Sequence, residues 1–124
     1  MSPFGPIVSP DWLREHLRDP DLRIIDFRWH LQGPNGREDY DRGHIPGAVF
    51  VDLEDVTGTE GGGRHPLPTG TQLAAAMRKA GVDSNSKVVV YDDSGGSIAA
   101  RLWFLLRWFG HGAQALMVGP RVQP

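Results

Sequence analysis

Short apolar, β-branched runs alternate along this chain with turns rich in glycine and proline. Residues 23–27 (RIIDF), 49–52 (VFVD) and 87–91 (KVVVY) are too short for helices and are bounded by turn formers, which predicts buried strands. Residues 115–118 (ALMV) predict a fourth. Helical signals fall between them. Ser9 can cap, Pro10 suits a first helical position and Asp11 complements the dipole, ahead of an apolar face at Trp12, Leu13 and Leu17. Residues 38–42 allow one or two turns, stopped by Gly43. Thr69 and Gln72 have capping-box spacing and open a helix over 73–80, ended by Gly81. Residues 98–109 (IAARLWFLLRWF) predict the last helix. Residues 28–37 and 57–68, with their glycines and prolines, read as loops. Strands alternating with helices predict an α/β fold, a mainly parallel sheet with helices on both faces.

The last helix is apolar nearly all round, with only Arg101 and Arg107 charged. Trp103, Phe104, Leu105, Leu106, Trp108 and Phe109 span the full turn at 3.6 residues per turn, so they cannot all face one sheet. Two readings follow: a helix sandwiched within the domain, or a face that meets a partner domain or a second copy of the chain.

Composition narrows the function classes. A chain of 124 residues suits a single domain over 1–124 with one real core. Its net charge of −2 provides no basic footprint for nucleic acid and no polybasic membrane patch, so neither is an expected partner. No secretory signal pattern opens the sequence, and cytoplasmic location is the expectation. The absence of any cysteine removes disulfides, thiolate catalysis and Cys-ligated metal together. No cofactor is expected.

That absence matters most between residues 91 and 98. A strand, a polar glycine-bearing turn (Asp92, Asp93, Ser94, Gly95, Gly96, Ser97) and a helix start form an anion cradle, because unpaired backbone N–H groups converge at the positive end of the helix dipole. Such loops carry nucleophilic cysteines, whose thiol pKa the same field lowers. Here two carboxylates open the loop. Asp92 and Asp93 could act as an acid pair, but the favoured reading is that Asp92 accepts loop N–H bonds and caps the helix. His44 reads as a structural histidine bonded to backbone, and Asp26 and Arg28 as anchors for the loops that follow. His30, His44, His65 and His111, taken with Asp92 and Asp93, show no metal-ligand spacing, and no metal site is expected.

Asp26-Phe27-Arg28, then Glu38-Asp39-Tyr40, then Gly43-His44-Ile45-Pro46-Gly47-Ala48 resembles the D-x-R, Y and G-H-I-P-G-A signature of rhodanese-homology domains. Trp29-His30, Asp52-Leu53-Glu54, His65-Pro66-Leu67-Pro68, Ala100-Arg101-Leu102-Trp103 and Phe109-Gly110-His111 extend the resemblance over roughly residues 7–112. In particular, the chain is similar to the N-terminal half of two-domain thiosulfate or mercaptopyruvate sulfurtransferases. The resemblance implies a rhodanese-like fold. It places Asp92 where active family members carry the persulfide-forming cysteine, and it puts Trp29 and Arg101 on the side of the active-site cleft. Beyond His111 the family pattern of a Gly-Gly turn and a Trp gives way to Val118-Gly119-Pro120. This is expected of a domain incomplete at its C-terminus, or of an altered C-terminal sequence.

The implied function is that of a non-catalytic domain of a thiosulfate sulfurtransferase, inactive alone and partnered by a second rhodanese-like domain or by self-association through the last helix. The alternative is a stand-alone cysteine-less binding or regulatory module. Hydrolysis of the kind rhodanese-like phosphatases perform needs a cysteine and a longer loop.

Overall fold

A computed structural model describes residues 5–32, 35–59 and 65–117. Five strands form one sheet: β1 (Ile7–Val8), β2 (Leu22–Asp26), β3 (Val49–Phe50), β4 (Lys87–Tyr91) and β5 (Gln114–Met117). Their order is β1-β5-β4-β2-β3, and every neighbouring pair is parallel. The helices are α1 (Pro10–His16), α2 (Gly36–Arg42), α3 (Gly70–Lys79) and α4 (Ala99–Trp108). This is the α/β architecture with a parallel sheet that the alternation predicts.

The local signals explain where the elements begin. Ser9 accepts from Trp12 N–H with Pro10 in the first turn of α1, and Thr69 accepts from Gln72 N–H at the start of α3. The strand residues sort themselves by the pleat. Val88 and Val90 of β4 join Ile25, Phe27, Leu73, Met77, Leu102, Leu105 and Leu106 in one buried cluster. Val89 and Tyr91 join Leu22, Ile24, Ala115, Trp12 and Leu13 in a second. Successive side chains of β4 thus serve opposite faces, with α3 and α4 covering one and α1 the other.

Some boundaries differ from the sequence reading. β2 runs one residue earlier, over Leu22–Asp26, although Phe27 N–H still bonds Tyr91 O at 2.9 Å. β3 stops after two residues because Asp52 turns the chain into an unforeseen 3-10 turn, Leu53–Val56, whose Glu54 N–H it caps. α2 starts at Gly36, inside the stretch read as loop, because Asn35 accepts from Glu38 N–H and caps it. Gly36 is required there: a Cβ would collide with the Arg28 carbonyl. β1 was not foreseen, being two residues held by pairing with β5. β5 begins at Gln114, and the remainder of the expected fourth strand, Val118, lies outside the described residues, as does the divergent C-terminal segment.

α4 resolves the puzzle of the all-round apolar helix. Ala99, Leu102, Leu105 and Leu106 are buried on the sheet, whereas Phe104, Trp108 and Phe109 are 46%, 65% and 41% exposed. Phe104 and Trp108 stack on each other with ring centroids 5.8 Å apart.

Candidate functional site

In a parallel sheet the loops after the strand C-termini gather at one edge, where α/β folds place their sites. Here β2 delivers Asp26 to that edge and β4 delivers Tyr91, in register with each other.

The loop after Tyr91 wraps around Asp92. One oxygen, Oδ1, accepts from Ser94 N–H at 2.9 Å and Gly96 N–H at 2.8 Å. The other, Oδ2, accepts from Ile98 N–H at 2.8 Å and Ala99 N–H at 2.7 Å. The turn needs two successive left-handed residues, Gly95 at φ 72° and Gly96 at φ 98°, which glycine adopts without strain. The result is a backbone anion cradle filled by the chain's own carboxylate, at the start of α4 where the dipole favours negative charge. These four donors are spent on Asp92, so an external oxyanion meets a negative charge where they converge.

The other candidate residues divide into two groups. Arg101, one turn into α4, donates from Nη2 to His65 O at 2.6 Å and Pro66 O at 3.1 Å. Trp29 meets the His65 ring edge-on, with centroids 5.2 Å apart. Both therefore anchor the segment at residues 65–66, Arg101 from α4 and Trp29 from the loop after β2. Burial lowers the Arg101 pKa, and its Nε has no hydrogen-bond partner among the described residues.

Asp26 and Arg28 form the second group. The Arg28 guanidinium grips the fully buried Asp26 carboxylate from Nε (3.0 and 3.1 Å) and Nη2 (2.7 Å). Nη2 also donates to Gly43 O at 2.7 Å. Burial acts to lower the Arg28 pKa, but hydrogen bonds and charge from Asp26 outweigh it and the net direction is up. The Tyr91 hydroxyl accepts from Ile45 N–H at 3.2 Å and donates to Asp26 Oδ2 at 2.8 Å. Asp26 thus ties both the Gly43 carbonyl and the Ile45 amide to the sheet edge. His44 stacks on Tyr40, with centroids 3.7 Å apart, and its Nδ1 lies 2.7 Å from Tyr40 O. Gly47 turns the chain at φ 85°, next to Pro46. The D-x-R and G-H-I-P-G-A motifs, read as two stretches of sequence, are one hydrogen-bonded unit.

Two relationships escaped the sequence. Tyr91 appears there only as the end of a strand, and its bond to Asp26 spans 65 positions. His30, together with Asp93 and Asp39, forms a cluster whose ligand atoms lie within 4.8 Å of one another. His44, His65 and His111 take no part in that cluster.

Comparison with known proteins adds the family context. A family model described as a rhodanese-like domain matches residues 9–119. The chain is 42% identical over 113 residues to thiosulfate/3-mercaptopyruvate sulfurtransferase 1, mitochondrial, of Arabidopsis thaliana, covering 90% of this chain and 30% of that protein. It is 42% identical over 106 residues to 3-mercaptopyruvate sulfurtransferase of Escherichia coli (strain K12), covering 83% and 38%. Among solved structures, the 3-mercaptopyruvate sulfotransferase SseA from Escherichia coli superposes with a TM-score of 0.82 at 37% identity, covering 91% of this chain and 44% of that one. The chain therefore spans less than half the length of these relatives.

Proposed function

The chain belongs to the rhodanese-like domain family, and from that premise we propose that it is a non-catalytic domain of a sulfane-sulfur transferase acting on thiosulfate or 3-mercaptopyruvate. One observation carries the proposal. The loop after β4, where the resemblance places the family's nucleophilic cysteine, holds Asp92, whose carboxylate takes four backbone N–H groups for itself. An aspartate cannot accept a sulfane sulfur as a persulfide, and its fixed charge repels the anionic donors. In the intact protein a cysteine thiolate on another domain attacks the sulfane sulfur of thiosulfate or the thiol sulfur of 3-mercaptopyruvate, releasing sulfite or the enolate of pyruvate. It becomes a persulfide, and the outer sulfur passes to cyanide or a thiol.

The contribution proposed for this chain is shape. Trp29 and Arg101 order the segment at residues 65–66, on the side that the resemblance assigns to the cleft. The exposed Phe104, Trp108 and Phe109 face is where we place contact with a second rhodanese-like domain or a second copy of the chain. We place the protein in the cytoplasm.

The test is a complementation assay. The purified chain is given thiosulfate or 3-mercaptopyruvate with cyanide, alone and mixed with a cysteine-bearing rhodanese-like domain of a two-domain relative. Thiocyanate only in the mixture, above the level of the cysteine-bearing domain alone, supports the proposal. Equal turnover with and without this chain argues against a cleft contribution.

A further inference from the structure

We propose that His30 and Asp39 form a binding site for a divalent transition-metal ion of the zinc class, with Asp93 as the residue that orients the histidine. His30 lies in the loop after β2, Asp39 on α2, and Asp93 in the loop after β4, so three separate elements converge. The His30 Nε2 lies 2.9 and 3.0 Å from the two Asp93 oxygens. A carboxylate only accepts, so Nε2 carries the hydrogen of this contact. Nδ1 is then the nitrogen left to meet a ligand, and it faces Asp39 Oδ2 at 3.5 Å.

Nδ1 and Oδ2 need a positive charge between them, which a proton or a metal ion supplies. The spacing suits a cation between them. A zinc-class ion binds nitrogen and oxygen at about 2.0–2.2 Å, so adjacent tetrahedral ligands stand roughly 3.4 Å apart. The Nδ1 to Oδ2 distance of 3.5 Å therefore needs almost no rearrangement. The Asp93 contact supplies what metal-bound histidines normally have, a carboxylate on the second ring nitrogen that fixes the tautomer and raises ligand basicity. Imidazole with carboxylate selects zinc, cobalt, nickel or copper over magnesium and calcium, which prefer all-oxygen sets.

The competing cation is Arg42, whose Nη1 lies 3.8 Å from Asp39 Oδ1. Its side chain is 69% exposed, and it meets the oxygen other than the one facing His30. It leaves Oδ2 available. Asp39 is 18% and His30 24% exposed, so a bound ion keeps water on its open positions.

The experiment is a titration of the purified full chain with zinc chloride followed by calorimetry, with histidine side-chain nitrogen shifts read by NMR. The expected result is one saturable equivalent, with the His30 Nδ1 resonance shifted as a ligand and Nε2 still protonated. Asp39→Asn and His30→Gln abolish that equivalent, and Asp93→Ala weakens it by about tenfold or more. His16→Gln, on α1, leaves it unchanged. The two ligand variants sit on different elements, so a folding failure of one leaves the other as the test. Absence of saturable binding to wild type at 1 mM zinc (about 4 kcal/mol) overturns the proposal. So does wild-type affinity in Asp39→Asn, or a shift at other histidines with His30 unmoved.

Discussion

Tyr91 and Asp26 stand in register on adjacent parallel strands, and the phenol hydroxyl donates to Asp26 Oδ2 at 2.8 Å. Burial pushes the Tyr91 pKa well above its usual range; the Ile45 N–H acts the other way, and the Asp26 charge adds to the rise. The raised folded pKa stabilises the protein fully below the unfolded tyrosine value of about 10, and that stability is lost as pH climbs toward the folded value. Wild type should therefore lose about 1.4 kcal/mol per pH unit above pH ~10 relative to Tyr91→Phe. Paired urea melts between pH 8 and 11 measure this. Parallel pH profiles for the two proteins would contradict it.

Arg28 is the only charged partner that the hydrogen bonds show for the buried Asp26, among the described residues. Arg28→Ala should cost about 3–5 kcal/mol in chemical denaturation, because it leaves an uncompensated buried carboxylate and frees the Gly43 carbonyl. Arg28→Lys should recover only part of this, since a point charge cannot make the two-pronged contact. A loss under about 1 kcal/mol for the alanine variant would show that Asp26 finds another partner.

Asp92→Ala should destabilise the chain by about 2 kcal/mol, because four backbone donors lose one charged acceptor at the start of α4. Asp92→Cys should place a thiol in the vacated field, with its pKa below the free value of about 8.5. Activity restored to that variant should be weak, since Asp93 remains beside it. A thiol titrating at or above 8.5 would mean that the cradle exerts no useful field.

How much of this was legible follows from where each cause lies. α1 and α3 carry their own caps in Ser9 and Thr69, and β4 carries its own β-branched run, so local sequence predicts them. β1 exists only because β5 offers Ile7 and Val8 a partner, a non-local cause that a two-residue run cannot announce. α2 starts early for two reasons: Asn35 caps it, a local signal lying within the stretch read as loop, and Gly36 fits under the Arg28 carbonyl, a tertiary constraint. At the site, the tight glycine turn after KVVVY makes the Asp92 environment readable, since Gly95 and Gly96 and a following helix imply converging N–H groups. The His30, Asp39 and Asp93 cluster is not readable, because His30 and Asp93 are 63 positions apart and meet only once the sheet is built.

The outer face of α4 should drive self-association of the isolated chain. Burying one exposed aromatic is worth ~1.5–3 kcal/mol, and Phe104, Trp108 and Phe109 supply three. Sedimentation velocity should show a concentration-dependent dimer, and Trp108→Glu should return it to monomer. A clean wild-type monomer into the high micromolar range would remove this face as a contact surface.

The central claim is that this rhodanese-like domain does not carry sulfur itself. The most direct measurement incubates the purified chain with thiosulfate and cyanide and follows thiocyanate. With no cysteine in the sequence and Asp92 closing the cradle, thiocyanate should form at the uncatalysed rate. Turnover above that rate by protein free of contaminating transferase, abolished by a substitution in the chain's own loop after β4, would contradict the account.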